Sequence, residues 1–195
     1  MFKRALTGIA VIGFAAALSV SPALAQKSKD TIRLAVNDPF SLLDPYYFPL
    51  DEAGAFYRTM SQSLVLYDEH KRKWVPLLAK SFKRIGDRTI EFDLRDDITF
   101  HNGNAFDAND VKATIDYTRD PAVKIRFKAR YDWVREVEVL DRYKVRIHAN
   151  KAFSTDLGMI SYWFRMYDGE TLNALENKAD YGKTSIATGS YRLVS

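Results

Sequence analysis

The chain has no cysteine among its 195 residues. That excludes disulfides, thiol nucleophiles and the lipid-bearing cysteine of a lipoprotein. Histidine is scarce: His70, His101 and His148 are the only three. None has a second histidine at the three- to five-residue spacing of a zinc site, so no metal site is expected. There is no Gly-x-Ser-x-Gly elbow for a hydrolytic serine. Gly182-Lys183-Thr184 lacks the earlier glycine of a phosphate loop, because position 177 is asparagine, and a nucleotide site is rejected. No catalytic residue and no cofactor is expected. Charge of one sign is also missing. The formal net charge is +4 with both signs interleaved, too even a balance to imply nucleic acid as a partner. Repeats, low-complexity tracts and flexible linkers are absent.

The longest hydrophobic run, Ala5 to Val20, holds about 15 apolar residues, short of the ~20 that span a bilayer. Lys3 and Arg4 precede it, Ser21-Pro22 breaks it, and Ala23-Leu24-Ala25 supplies small residues for a signal peptidase. Residues 1–25 are therefore expected to be a cleaved export leader. Cleavage after Ala25 leaves a one-domain length from Gln26 to Ser195. With no lipid anchor, the periplasm is the expected location. The aromatic content is high, with 12 Phe and 11 Tyr. That is more than a small core needs, and it suits a ligand cleft or an interface.

Thr31 to Val36 alternates as a strand, and Asp38 to Pro49 reads as a loop with two prolines and an aromatic cluster. Asp51 opens a helix whose stripe is Ala53, Phe56, Met60 and Leu64. Leu64 to Tyr67 reads as a short strand, and Trp74 to Ala79, interrupted by Pro76, as a connection or sheet edge. Thr89 to Arg95 alternates, with Ile90, Phe92 and Leu94 inward and Glu91, Asp93 and Arg95 outward. His101 to Asn104 is a turn. Asp107 and Asp110 resemble a capping box for a helix with Ala108, Val111, Ile115 and Thr118 on one face, ending before Pro121. A hairpin turns at Asp141-Arg142, a helix is expected from Thr171 to Asn177, and Tyr191 to Val194 looks like a strand. The whole is a mixed α/β chain.

The polar candidates read as structural. His101 is placed to hydrogen-bond at its turn, His148 lies on an exposed polar face, and His70 is solvated. The carboxylate pairs Asp96-Asp97 and Glu136 with Glu138 read as surface, since acid–base work needs a cleft and a perturbed environment.

Three blocks stand in order: Pro76-Leu77-Leu78-Ala79-Lys80-Ser81-Phe82, then Ile90 to Gly103 with Phe92-Asp93-Leu94-Arg95 and Thr99-Phe100-His101-Asn102-Gly103, then Ala105 to Val111. Leu43-Asp44-Pro45, Val137 to Val145 and Ala187-Thr188-Gly189-Ser190-Tyr191 flank them. Together they resemble the family 5 extracellular solute-binding proteins, the dipeptide and oligopeptide group. The last flank departs from the family's pattern, with Ala187 in place of glycine and Ser190 in place of proline.

The resemblance implies a type II periplasmic binding protein-like α/β fold. By analogy, residues 26–45 give the first strand and cleft loop of lobe one, 46–184 its extra subdomain, and 185–195 a return strand. Family members are several hundred residues long, so a second lobe is expected to be absent from this chain, which is read as an N-terminal fragment. The implied function is to bind a peptide or other small-molecule solute, as a monomer, and deliver it to the permease subunits of an ABC importer. Similar proteins take peptides, nickel chelates, glutathione, haem, opines and some sugars. By the same analogy Phe40, Tyr46, Tyr47 and Phe48 are candidate ligand contacts, each alternatively packing in the loop. Arg130 could meet an anionic group, or stand as a surface arginine beside Lys124, Arg126 and Lys128. A periplasmic interaction or chaperone module and a secreted hydrolase are the rival classes.

Overall fold

The computed structural model describes residues 44–47, 51–184 and 186–192. The leader, the strand expected at 31–36, and Phe40 and Phe48 lie outside the described residues.

Helix α1 spans Asp51–Met60. It stops short of Leu64, which the expected stripe had included but which lies buried in the turn beyond. Strands β1 (Val65–Asp68) and β2 (Lys73–Pro76) form an antiparallel ribbon, with Val65 opposite Pro76. The connection expected at Trp74 to Ala79 is therefore partly strand, and the proline sits at its end, where its missing N–H costs nothing.

The main sheet contains β3 (Ala79–Ile85), β4 (Thr89–Leu94), β5 (Val134–Asp141) and β6 (Lys144–Ala149). Their antiparallel order is β3-β4-β6-β5. The expected hairpin is β5–β6, and β4 falls where alternation placed it. β3 was not legible as a strand, since Lys80, Ser81, Lys83, Arg84 and Ile85 are all exposed.

The two faces follow from strand register. Phe82 lies opposite Phe92, Phe92 opposite Val145, and Val145 opposite Val139. A second inner rung runs Ile90, Ile147, Val137. The outer face carries a charge ladder across all four strands, Lys83, Glu91, Arg146 and Glu138. Glu91 accepts from Arg146 at 2.8 Å and pairs with Lys83 at 3.0 Å. These two hydrogen-bonded cations hold its carboxyl below the usual range. Glu91 was expected to be a solvated outward residue, yet it is buried beneath the two longer side chains. His148 is half-buried rather than exposed: it sits in an inner strand, where side chains from both neighbours reach it, bonding Thr89 Oγ1 of β4 at 2.9 Å and Glu138 of β5 at 3.1 Å.

Helix α2 (Ala108–Arg119) packs on the sheet against β5. Its capping box is present, with Asp107 as N-cap and the Asp110 carboxylate accepting from Asp107 N at 2.8 Å. Ala108, Val111, Ile115 and Thr118 are all buried, as the stripe predicts. Helix α3 (Asp156–Trp163) was not expected, because eight mostly apolar residues show no helical stripe. Its first residue, buried Asp156, accepts a bidentate pair of hydrogen bonds from Arg84, both at 2.8 Å. Helix α4 (Gly169–Ala174) begins two residues before the expected Thr171, since Asp168 caps it. Helix α5 is a single turn, Tyr181–Thr184. Tyr191 and Arg192 lie outside any strand. One hydrophobic cluster runs from Tyr46 to Tyr181 and includes the inner face of the sheet.

Candidate functional site

Asp44 of the Leu-Asp-Pro flank anchors an interior scaffold. Asp44 is fully buried. Its Oδ1 accepts from the backbone N–H of Tyr46 at 2.8 Å and of Tyr47 at 3.1 Å, and its Oδ2 from Tyr167 Oη at 2.6 Å. The Asp44 carbonyl accepts from Tyr57 Oη at 3.0 Å. Burial raises the carboxyl's pKa, and these hydrogen bonds pull it back down.

Tyr46 therefore differs from its expected place as a ligand contact. It is fully buried, with its ring edge-on to Tyr131 at 5.4 Å and Tyr167 at 5.0 Å. Its hydroxyl donates to the Arg165 carbonyl at 2.7 Å and accepts from Arg165 N at 3.0 Å. Both hydroxyl functions are thus used inside the core, and burial raises its pKa. Tyr47 is half-buried, and its hydroxyl meets Tyr117 Oη at 2.5 Å.

Arg130 lies in the short 3-10 turn Lys128–Arg130, which follows Phe127 in the left-handed region at φ 60°. Its guanidinium carbon is 3.6 Å from the Trp163 ring centroid and 4.1 Å from that of Phe127. An arginine between two aromatic rings keeps a fixed fork, with its donors at the plane's edge. Among the described residues no carboxylate lies within salt-bridge distance of it. The sequence reading found Arg130, in a strip near Phe127 to Trp133, but missed Trp163, which lies 33 residues further on and reaches Arg130 only through the tertiary fold. Consecutive residues of α3 face different arginines: Trp163 is covered by Arg130, and Tyr162 by Arg58 at 5.0 Å.

The motif blocks converge elsewhere. Asn102 Nδ2 donates to Asp168 Oδ2 at 2.6 Å, Asn104 Nδ2 to the same oxygen at 2.8 Å, and Thr171 Oγ1 to it at 2.6 Å. Burial pushes the Asp168 carboxyl up, but these donors outweigh it and the net shift is downward. His101 Nε2 bonds the Gly189 carbonyl at 2.8 Å, as its place in the turn suggested. Asp110 Oδ1 accepts from Gly169 N at 2.8 Å. Blocks 99–104 and 105–111 therefore tie α2, α4 and the 187–191 segment together, which is a packing role. Among the described residues no three His, Asp or Glu side chains gather as a group that could hold a metal ion.

Burial, helped by the charges of Asp107 and Asp168, pushes the Asp110 carboxyl up to about 7 against its two backbone hydrogen bonds. A folded carboxyl with a raised pKa keeps a proton that the unfolded chain has released. Its stabilisation is present near pH 4 and is lost as pH rises towards 7, by at most about 4 kcal/mol for a shift of ~3 units. Asp44 acts in the same direction. Glu91, Asp93 and Asp168 are shifted down, so their effect falls below this window. Urea midpoints are expected to fall between pH 5 and pH 7.5 (roughly the span above an ordinary carboxyl), and Asp110→Asn to flatten that slope. A wild-type midpoint that rises through the window would contradict this assignment.

This fold, an antiparallel sheet packed against helices with the buried Asp44 as an anchor, is that of part of the type II periplasmic binding proteins. The pattern "Bacterial extracellular solute-binding proteins, family 5 Middle" matches residues 73–195, and the chain belongs to that family. It is 31% identical over 192 residues to a protein of Shigella flexneri named glutathione-binding protein, covering 96% of this chain and 36% of that one. Over 82% of its length it superposes on NikZ of Campylobacter jejuni, solved with Ni(L-His), with a TM-score of 0.71 and 25% identity. Over 80% it superposes on NikA of Brucella suis, solved with Fe(III)-EDTA, with a TM-score of 0.67 and 29% identity. AppA of Bacillus subtilis, solved with a nonapeptide, shares the fold with a TM-score of 0.72. The chain spans about a third of the length of these relatives.

Proposed function

We propose that this chain is the first-lobe part of an exported solute-binding component of an ABC importer, taking peptide-like solutes and handing them to a membrane permease. The observation that carries the reading is the family match over residues 73–195, in a chain whose relatives are named glutathione-binding proteins. Residues 1–25 act as a cleaved leader in this reading, which places the protein in the periplasm as a monomer. Residues 26–45 belong to the lobe, 46–184 to its extra subdomain and 185–195 to the return segment. Arg130, held between Phe127 and Trp163, is the solute-facing charge in this reading, and the half-buried Tyr47 is a further contact. Phe40 and Phe48 complete the proposed contact set from the loop outside the described residues. The role is binding, with no catalysis.

The test uses the stack itself. Trp163 is one of three tryptophans. Glutathione and small peptides titrated into the purified chain are expected to change tryptophan fluorescence, and Trp163→Phe to abolish the change. Arg130→Ala is expected to weaken binding about tenfold, equivalent to ~1.4 kcal/mol. Absence of any saturable response to glutathione or to a mixed tripeptide pool would sink the reading.

A further inference from the structure

A cavity of ≈ 330 Å³ opens between α1, β1 and the C-terminal end of α3. It is separate from the Arg130 stack. Arg165 lines it, and this arginine is 7% exposed. A guanidinium taken out of water needs carboxylates or several carbonyls to replace its hydration. Among the described residues no carboxylate lies within salt-bridge distance of Arg165. Its one side-chain hydrogen bond among the described residues, from Nη1 to the Ser61 carbonyl, is 3.5 Å long. Burial and the nearby Arg58 push its pKa down to about 10, so it is still charged at neutral pH. Arg165 is therefore a largely buried cation whose other donors meet no protein acceptor among the described residues; they are not sealed in the core but open on the cavity.

The rest of the lining says what could answer them. Arg58, also without a carboxylate within salt-bridge distance among the described residues, lies over the Tyr162 ring. Among the described residues Glu69 is the one acidic residue lining the cavity. Two guanidiniums against one carboxylate leave a local charge of one positive unit, which matches a monoanion better than a dianion. Part of the wall is apolar: Leu66 is 48% and Tyr162 44% exposed, and Leu77 adds to it, beside the polar Ser61, Gln62 and Ser161. Exposed apolar surface beside a buried, unpaired cation fits an amphipathic occupant.

We propose that this cavity is a binding site for the carboxylate of a small monoanionic solute, held by Arg165 with Arg58 at its side, the solute's apolar body lying on Leu66, Leu77 and Tyr162. Arginine presents two parallel N–H donors to the two oxygens of a planar carboxylate, and that pairing strengthens in a pocket screened from water. The site goes beyond the solute-binding reading above and does not depend on the Arg130 stack.

The experiment is an NMR titration of the purified chain with benzoate, with ionic strength held constant by chloride. Saturable shifts are expected in the amide signals of Arg58 and Tyr162 and in the Arg165 Nε–Hε signal. Benzamide, of the same shape without the charge, is expected to give none. Arg58→Ala, an exposed position whose loss leaves the core intact, is expected to weaken benzoate binding at least tenfold. Arg165→Lys keeps the charge but loses the fork, and is expected to weaken it similarly. The proposal is overturned if benzamide binds as well as benzoate, if sulfate competes with equal affinity, or if Arg58→Ala leaves binding unchanged. It is also overturned if these signals do not move by about 50 mM benzoate, a concentration that would reveal even millimolar affinity. The solute-binding reading is scored on the loss of the glutathione response in Trp163→Phe and Arg130→Ala, and neither residue lines this cavity, so failure here leaves that reading to its own test.

Discussion

Asp44→Ala is expected to destabilise the chain by about 4 kcal/mol, because it strands two buried donors and a half-buried one at once. The backbone N–H groups of Tyr46 and Tyr47 and the hydroxyl of Tyr167 all end on this one carboxylate. Water cannot replace it, since Asp44, Tyr46 and Tyr167 are each less than 5% exposed. Tyr167 in turn stacks on Tyr181 at 3.8 Å, so the loss propagates into the turn that carries α5. Removing a carboxylate that burial already penalises offsets part of the cost, and for that reason the sum of three full penalties is not expected. Asp44→Asn keeps one accepting oxygen and should lose about half as much. Urea unfolding followed by tryptophan fluorescence measures both. A loss below about 1 kcal/mol for alanine would show that the donors find other partners.

Gly189→Ala should be nearly as damaging, for a steric reason. A Cβ at this position would lie 2.4 Å from Thr59 O and from Met60 C. Those are backbone atoms at the end of α1, so no rotamer relieves the contact. The approach is close because Gly189 N donates to Met60 O at 2.7 Å and Tyr191 N to Thr59 O at 3.3 Å. Either the segment 187–191 detaches, breaking these bonds and the His101 contact, or α1 shifts. A cost of about 3 kcal/mol is expected, lowering the melting temperature by roughly 6–12 °C for a chain of this size. Hydrogen exchange at Gly189 and Tyr191 separates the two outcomes, and unchanged protection with an unchanged melting temperature would refute the close-packing account. The turn motif in this chain has lost a glycine at Ala187 and a proline at Ser190, but it keeps its glycine at the position where backbone meets backbone.

The elements legible in the sequence were those with a local cause. β4 and the β5–β6 hairpin alternate cleanly, and α2 is announced by Asp107 and Asp110 and carried by its buried stripe. β3 lacked a signal because an edge strand buries little of either face, and α3 lacked one because it is apolar almost all round. For the same reason Glu91 was misplaced: alternation assigns a face, and here the outer face is covered by its own charge ladder.

The family, and with it the fold, was determined by the sequence alone, because the motif blocks are contiguous in the chain and each records a local geometry: a turn, a cap, a strand end. The site was decided by the tertiary structure. Tyr46 and Tyr47 are adjacent in sequence, yet one lies wholly in the core and the other only half-buried. Arg130 gains its meaning from Trp163, and Arg165 from the absence, among the described residues, of a nearby carboxylate. Burial and partnership are properties of three-dimensional neighbours, and no spacing along the chain encodes which of several arginines will be left without a counter-charge.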